Sequence, residues 1–119
     1  IAPIAIDKAG GKLNINADSA AGKVASAVDA EKIVSVSDTH GIRTDVSDPL
    51  SRISSATEAE IKRMVETGII TQGMLPKVEA CIVALEGGVK KAHIIDGRIE
   101  HSLLLEIYTE EGIGTQIVK

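Results

Sequence analysis

The chain has 119 residues, 44% hydrophobic and 25% charged, which describes one globular domain with enough length to bury a core. Tyr108 is its only aromatic residue and the formal net charge is −4. The stacking platforms of single-stranded nucleic-acid binders are therefore missing, and dispersed basic residues leave no electrostatic footprint for nucleic acid. A lone cysteine, Cys81, excludes an intramolecular disulfide and fits a reducing compartment, and no apolar run approaches a membrane span. The opening IAPIAI is too short and lacks the basic flank of a signal peptide; a start at Ile1 fits a fragment or processed form.

In chain order, IAPIAI at 1–6 predicts a short buried strand, with Pro3 near its start or at a sheet edge. DKAGGK at 7–12 is a turn, and LNIN at 13–16 alternates like the returning strand of a hairpin. From Asp18 the period changes. Ala20, Ala21, Val24, Ala25 and Val28 share one helical face, small enough to lie close against a sheet. KIVSVS at 32–37 is the clearest buried strand, and SDTHG after it is a loop. Residues 43–56 mix turn formers with short apolar pairs and predict an irregular or hairpin-like excursion. Thr57 and Glu60 make a capping box for a helix carrying Ile61, Met64 and Val65, stopped by Gly68. Pro76 fits a first helical turn ahead of Val78, Cys81, Ile82 and Leu85, and Gly87–Gly88 closes that helix. AHIID at 92–96 predicts a strand, SLLLEI at 102–107 a short helix, and GTQIVK at 114–119 a last strand. Strands alternating with helices predict an α/β fold, a three-layer sandwich with a largely parallel sheet.

Ligands of open α/β sheets sit beyond the carboxyl ends of the strands. Two polar clusters fall there, Asn14–Asn16–Asp18 and Ser37–Asp38–Thr39. Asx turns and helix caps produce the same pattern, with Asp18 a candidate cap. Lys77 stands in a predicted first turn, where the helix dipole disfavours a cation. A solvated lysine accounts for this, and so does an anion such as phosphate held between the helix start and the ammonium. Gly11–Lys12 and Gly22–Lys23 lack the following Ser or Thr and the leading glycine of a P-loop. His40, His93 and His101 have no zinc-ligand spacing, Cys81 reads as a core residue, and no nucleophilic triad has a supporting pattern.

The segments NINAD, SDTHGI, IITQGMLPK, ALEGGVKKAHIIDGR and HSLLLEIYTEEGIGT occur in this order. Across essentially the whole chain they resemble the carboxyl-terminal, nucleotide-binding half of the N-acetylglutamate kinases, within the amino acid kinase family. The resemblance implies that residues 1–119 form an ATP-binding domain, with a substrate-binding amino-terminal half outside the chain. That half would supply a glycine-rich phosphate-binding turn, a second lysine and a substrate-binding arginine. The implied reaction moves the γ-phosphoryl group of MgATP to the side-chain carboxylate of N-acetyl-L-glutamate, in arginine biosynthesis. The enzyme would be cytoplasmic in a bacterium or plastid-located in a plant-like source, homo-oligomeric at full length, and inactive as these 119 residues alone.

By the same resemblance Lys77 and Asp18 are catalytic, Lys77 against the transferring phosphoryl group and Asp18 organising the lysines. Asn14 and Asn16 fall at substrate-binding positions. Asp38, Thr39, His40, Gly41, Ile42 and Arg43, with Ile69, Ile70 and Thr71, fall at ATP-binding positions. Asp38 suits ribose hydroxyls, and Ile69 and Ile70 suit the face of a base. Mg²⁺ would be held by phosphates and water, so no metal ligand is expected from the chain. His93, Glu106 and Gly112 match members inhibited by arginine and imply an effector site; by themselves they read as a strand residue and a solvated helix face. Two alternatives stand beside this reading: a sibling kinase acting on carrier-protein-linked aminoadipate or glutamate, and a nucleotide-sensing domain without catalysis. The presence of both Asp18 and Lys77 weighs against the second, since a pure binder would not need the two together.

Overall fold

The computed structural model describes residues 1–70, 72–110 and 112–119. The chain opens with an antiparallel hairpin of β1 (Ile4–Ile6) and β2 (Lys12–Asn14), Ile4 lying opposite Asn14. Its turn is closed by Asp7, whose carboxylate accepts hydrogen bonds from the Ala9 and Gly11 amides at 2.8 Å. The hairpin forms a two-stranded sheet of its own. The expectation of a buried first strand is corrected, because Ile4 and Ile6 are 63% and 73% exposed. An apolar run predicts burial only where a second layer covers it, and a two-stranded ribbon brings none.

The main sheet contains β3 (Lys32–Ser37), β4 (Ser55–Thr57), β5 (Lys91–Asp96) and β6 (Thr115–Val118), in the order β3-β5-β6-β4. β3 and β5 run parallel, as do β4 and β6, while β5 and β6 are antiparallel. The sheet is thus mostly parallel, as the alternation of elements predicts. The reading of 43–56 as an irregular or hairpin-like excursion fits residues 43–52, where Arg43 and Arg52 bridge antiparallel, and is corrected at its end, where Ser55 and Ala56 belong to β4. After a bridge between Arg43 and Arg52 and a 3-10 turn at Pro49–Ser51, the chain enters the sheet at Ser55. Ser-Ala-Thr carries one apolar side chain, too little pattern to announce a strand.

Four helices accompany the sheet: α1 (Ala17–Ala27), α2 (Glu58–Glu66), α3 (Leu75–Glu86) and α4 (Ser102–Tyr108). The capping box of α2 forms as read, with the Thr57 amide donating to Glu60 Oε2 at 2.7 Å and the Glu60 amide to Thr57 Oγ1 at 3.3 Å. At α1 the cap is Asn16 instead of Asp18: Asn16 Oδ1 accepts from the Ser19 amide at 3.0 Å, and Asp18 follows within the first turn.

The core lies between the sheet and α1, α2 and α3. Ile61, Val78, Cys81, Leu85, Ala92, Ile94 and Ile117 meet there, each at most 1% exposed. Burial, with the Asp18 charge adding to it, pushes the Cys81 thiol up to about 12, so it stays a neutral, inert core group. Side chains alternate across a strand: Ala92 and Ile94 face the helices, while His93 faces α4, where it meets Glu106. α4 therefore forms the third layer. It turns Leu103, Leu104 and Ile107 partly outward and leaves Tyr108 81% exposed. Among the described residues no helix is long and apolar enough to cross a membrane.

α1 and α3 lie side by side and run in the same direction. Asp18 meets Lys77 at their beginnings, Gly22 meets Ala80 midway, and Ser26 meets Gly87 at their ends. At Gly22 a Cβ would stand 2.6 Å from the Ala80 carbonyl oxygen, a backbone atom that cannot swing aside. Alanine is the better helix former by about 1 kcal/mol, but overpacking a close contact costs about 1–3 kcal/mol. Gly22→Ala is therefore expected to lower the unfolding free energy by up to about 2 kcal/mol in urea titration. A variant more stable than the parent would show that the helices have room to part.

Candidate functional site

A cleft of about 320 Å³ opens beyond the carboxyl ends of β3 and β5, beside the start of α3. This is the edge at which parallel strands end and the following helices begin, so backbone amides and partial positive charge face it. Its lining includes Asp38, Thr39, His40, Gly41, Ile42 and Arg43 from the loop after β3, and Ile69 and Ile70 before α3. It also includes Lys77. The predicted nucleotide segments are thus gathered into one cavity, except Thr71, which lies outside the described residues.

The loop owes its course to Gly41. Its φ is +82°, and a Cβ there would stand 2.6 Å from Thr115 Oγ1 and 2.9 Å from the Thr115 amide nitrogen. Only glycine combines that backbone with that approach. Thr115, fully buried on β6, accepts from the Ile42 amide at 2.8 Å and donates to the Ile53 carbonyl at 2.6 Å. Ile42 is pinned beneath the loop, while Arg43 passes along the cleft wall. Arg43 donates to the Val46 carbonyl at 3.2 Å, and its buried Nε has no partner among the described residues.

Lys77 occupies the first turn of α3, and its Nζ lies 3.3 Å from Asp18 Oδ2 and 3.5 Å from Oδ1. Both side chains are about three-quarters buried, at 24% and 27% exposed. Asp18 is in the first turn of α1, where its charge complements the dipole. The anion expected beside Lys77 is therefore supplied in part by the chain itself. Asn14 ends β2 and Asn16 caps α1; both are exposed and neither lines the cleft.

Two residues of the cleft rim are unexpected. Asp96, the last residue of β5, is fully buried, and Arg98 lines the cleft. Arg98 donates through Nε at 3.0 Å and through a terminal nitrogen at 2.7 Å to the two Asp96 oxygens. His40 Nδ1 lies 3.0 Å from Asp96 Oδ2. Hydrogen bonding from Arg98, working against burial, holds the Asp96 carboxyl at about 2. In the sequence IIDGR reads as a strand running into a turn. The signal available there is a carboxylate at a strand end, the edge where ligands collect.

On the other face of the sheet a second cavity of about 680 Å³ is lined by His93, Glu106 and Gly112 together with Lys32, Arg52 and Lys91. Glu106 is buried, which corrects its reading as a solvated residue. One carboxylate oxygen meets His93 Nδ1 at 2.7 Å; the other accepts from the Ile113 and Gly114 amides at 2.7 and 2.9 Å. Burial by itself would raise the Glu106 carboxyl. The bonds from His93 and from the two amides outweigh it and hold the group below its ordinary 4.5. His93 Nε2 is buried without a partner among the described residues.

The chain belongs to the amino acid kinase family, whose model matches residues 1–96. It is 56% identical over 117 residues to the acetylglutamate kinase of Methanothrix thermoacetophila, covering 98% of this chain and 40% of that protein. Identity to the acetylglutamate kinase of Symbiobacterium thermophilum is 51% over 119 residues, covering 100% of this chain and 41% of that protein. Among solved structures, the N-acetylglutamate synthase of Neisseria gonorrhoeae complexed with coenzyme A and L-arginine matches with a TM-score of 0.86 at 29% identity. That match covers 100% of this chain and 27% of the synthase. The chain spans about 40% of the length of the curated relatives it matches.

The Glu106 network gives stability a defined acid dependence. A carboxyl lowered by folding stabilises the fold above its unfolded value, near 4.5, and that stability is lost as pH falls through the folded value. Melting temperature is expected to fall more steeply below about pH 5 in the parent than in Glu106→Gln. Glu106→Ala leaves two amides without their acceptor and should cost about 2–4 kcal/mol. Parallel pH profiles for parent and Glu106→Gln would assign the acid sensitivity to other groups.

Proposed function

We propose that the chain is the nucleotide-binding part of an N-acetylglutamate kinase whose acceptor-binding half lies outside these 119 residues. It works in the transfer of the γ-phosphoryl group of MgATP to the side-chain carboxylate of N-acetyl-L-glutamate, in arginine biosynthesis. The observation that carries the reading is the Asp18–Lys77 pair, set beside the cleft where α1 and α3 both begin. The names of the acetylglutamate kinases it resembles support the choice of acceptor.

Phosphoryl transfer asks little covalent chemistry of a protein. Charge spreads over the equatorial oxygens of the transferring group, and fixed positive groups stabilise it. Lys77 supplies a full charge, and the amides of the first α3 turn supply partial ones. Asp18 holds the ammonium in one place before the phosphate arrives, which reduces the reorganisation needed in the transition state. Ile69 and Ile70 offer an apolar wall to the base and Asp38 an acceptor for ribose hydroxyls. Asn14 and Asn16, on the hairpin side of Asp18, face the acceptor. Among the described residues the cleft lining carries one carboxylate, Asp38, amid cationic and neutral groups. That donor set fits a magnesium ion carried in by the phosphates and water, not a protein cage. Mg²⁺ supplies charge neutralisation on the phosphates when bound.

In the full-length kinase, Lys77→Ala is expected to lower kcat about 10²–10³-fold while the KM for ATP changes only a few-fold. The 119-residue chain alone should bind MgATP weakly and form no ADP with N-acetyl-L-glutamate. An unchanged kcat removes Lys77 from the mechanism, and turnover by the isolated chain removes the requirement for another half. Faster turnover on a carrier-protein-linked aminoadipate or glutamate would move the protein to the sibling kinase.

The second cavity favours a regulatory reading as well. A cationic, hydrogen-bonding effector such as arginine suits His93 Nε2, which has no partner among the described residues, and the remaining acceptor capacity of Glu106, with Gly112 at the wall. Titration with L-arginine should then shift the His93 ring resonances in NMR spectra. Resonances that stay in place at millimolar arginine would exclude this site.

A further inference from the structure

We propose that Asp96 is a positioning residue for the nucleotide base, acting through Arg98 and His40; this rests on the nucleotide reading of the cleft given above. Asp96 belongs to the sheet, is fully buried, and lies in register with Ser37, the last residue of β3. The Gly97 amide donates to the Ser37 carbonyl at 2.8 Å, locking the two strand ends together. From this fixed point one carboxylate reaches two planar side chains on the rim. The Nε and a terminal nitrogen of Arg98 are both tied to it, and the Arg98 amide donates to it at 2.9 Å. His40 Nδ1 is tied to the same Oδ2.

Composition makes this pair matter. Beyond the apolar wall of Ile69 and Ile70, a base is held by stacking on flat groups, and among the described residues the cleft lining contains no aromatic ring apart from an imidazole. The chain has no Phe or Trp, and its single Tyr is not among the lining residues. The flat groups available are therefore the His40 imidazole and the guanidinium groups of Arg43 and Arg98. A guanidinium plane stacks on a base nearly as an aromatic ring does. Arg98 and His40 are 63% and 47% exposed at their side chains. Left alone, such side chains would sample many rotamers and lose that freedom on binding. The bidentate pair with Asp96 removes part of this loss before the base arrives.

The test is a double-mutant cycle on the 119-residue chain, with affinities for MgATP, adenosine and inorganic tripolyphosphate measured by titration. Melting temperature serves as the check on folding. Asp96→Asn keeps the shape and removes the charge. It is expected to weaken both MgATP and adenosine about 5–10-fold and to leave tripolyphosphate unchanged. Arg98→Ala should weaken the same two ligands, and Asp96→Asn in the Arg98→Ala background should add less than about 2-fold. Fully additive losses, or a loss that extends to tripolyphosphate, would overturn the proposal by making Asp96 a general support of the cleft. If Asp96→Asn lowers the melting point too far to measure, Arg98→Lys carries the test. It keeps the charge but not the plane, and undiminished adenosine affinity there would overturn the stacking role. A parent chain that binds neither MgATP nor adenosine would sink the nucleotide reading and this inference with it. A parent that binds both while the cycle is additive would sink this inference alone.

Discussion

Much of the site depends on how closely α1 and α3 lie. Backbone meets backbone where Gly22 faces Ala80, and because the helices run in the same direction, closeness midway becomes closeness at both beginnings. Asp18 and Lys77 are 59 residues apart in the chain, and neither reaches the other unless that approach is kept. Two helix starts placed together concentrate partial positive charge, which the carboxylate of Asp18 offsets and a bound anion would share. The glycine at mid-helix, unfavourable on propensity alone, is thus a condition for the ion pair. Local preference gives way to tertiary geometry there.

β5 is the second organising element. It sits between β3 and β6 and is buried along five of its six positions, so its register is fixed by both faces at once. On one face Ala92 and Ile94 enter the core and Asp96 ends at the cleft rim. On the other His93 stands in the second cavity against Glu106. A slip of one residue would exchange the two sets, placing an imidazole among aliphatic side chains. One short strand therefore aligns both cavities.

The helices were legible in the sequence because their signals are local. The capping box at Thr57 and Glu60, the apolar period from Val78 to Leu85 and the paired glycines after it need no knowledge of neighbours. β4 was not legible, since Ser55, Ala56 and Thr57 become a strand only by pairing with β6. The exposure of β1 was hidden for the related reason that composition does not say what covers a strand. In NINAD three side chains compete for one cap, and Asn16 prevails because the helix starts at Ala17, a boundary that pattern places only within a residue or two. Within the cleft, Asp38 and Thr39 were legible from the rule that ligand-facing groups collect where parallel strands end, and Lys77 from its place in a first helical turn, whereas residues 40–43, 69 and 70 were marked only by the family resemblance. Asp96 and Arg98 escaped notice because a buried carboxylate and the turn residue it holds acquire meaning only in three dimensions.

The placement of Tyr108 has an optical consequence. With no tryptophan or phenylalanine in the chain and its one tyrosine ring already mostly in water at the end of α4, unfolding changes the ring's surroundings little. Intrinsic fluorescence and near-ultraviolet dichroism therefore report poorly on whether this protein is folded. Backbone signals from the helices and sheet carry that information instead. The same silence has a use: the cleft holds no strong near-ultraviolet chromophore of its own, so a purine entering it would be seen against a dark background.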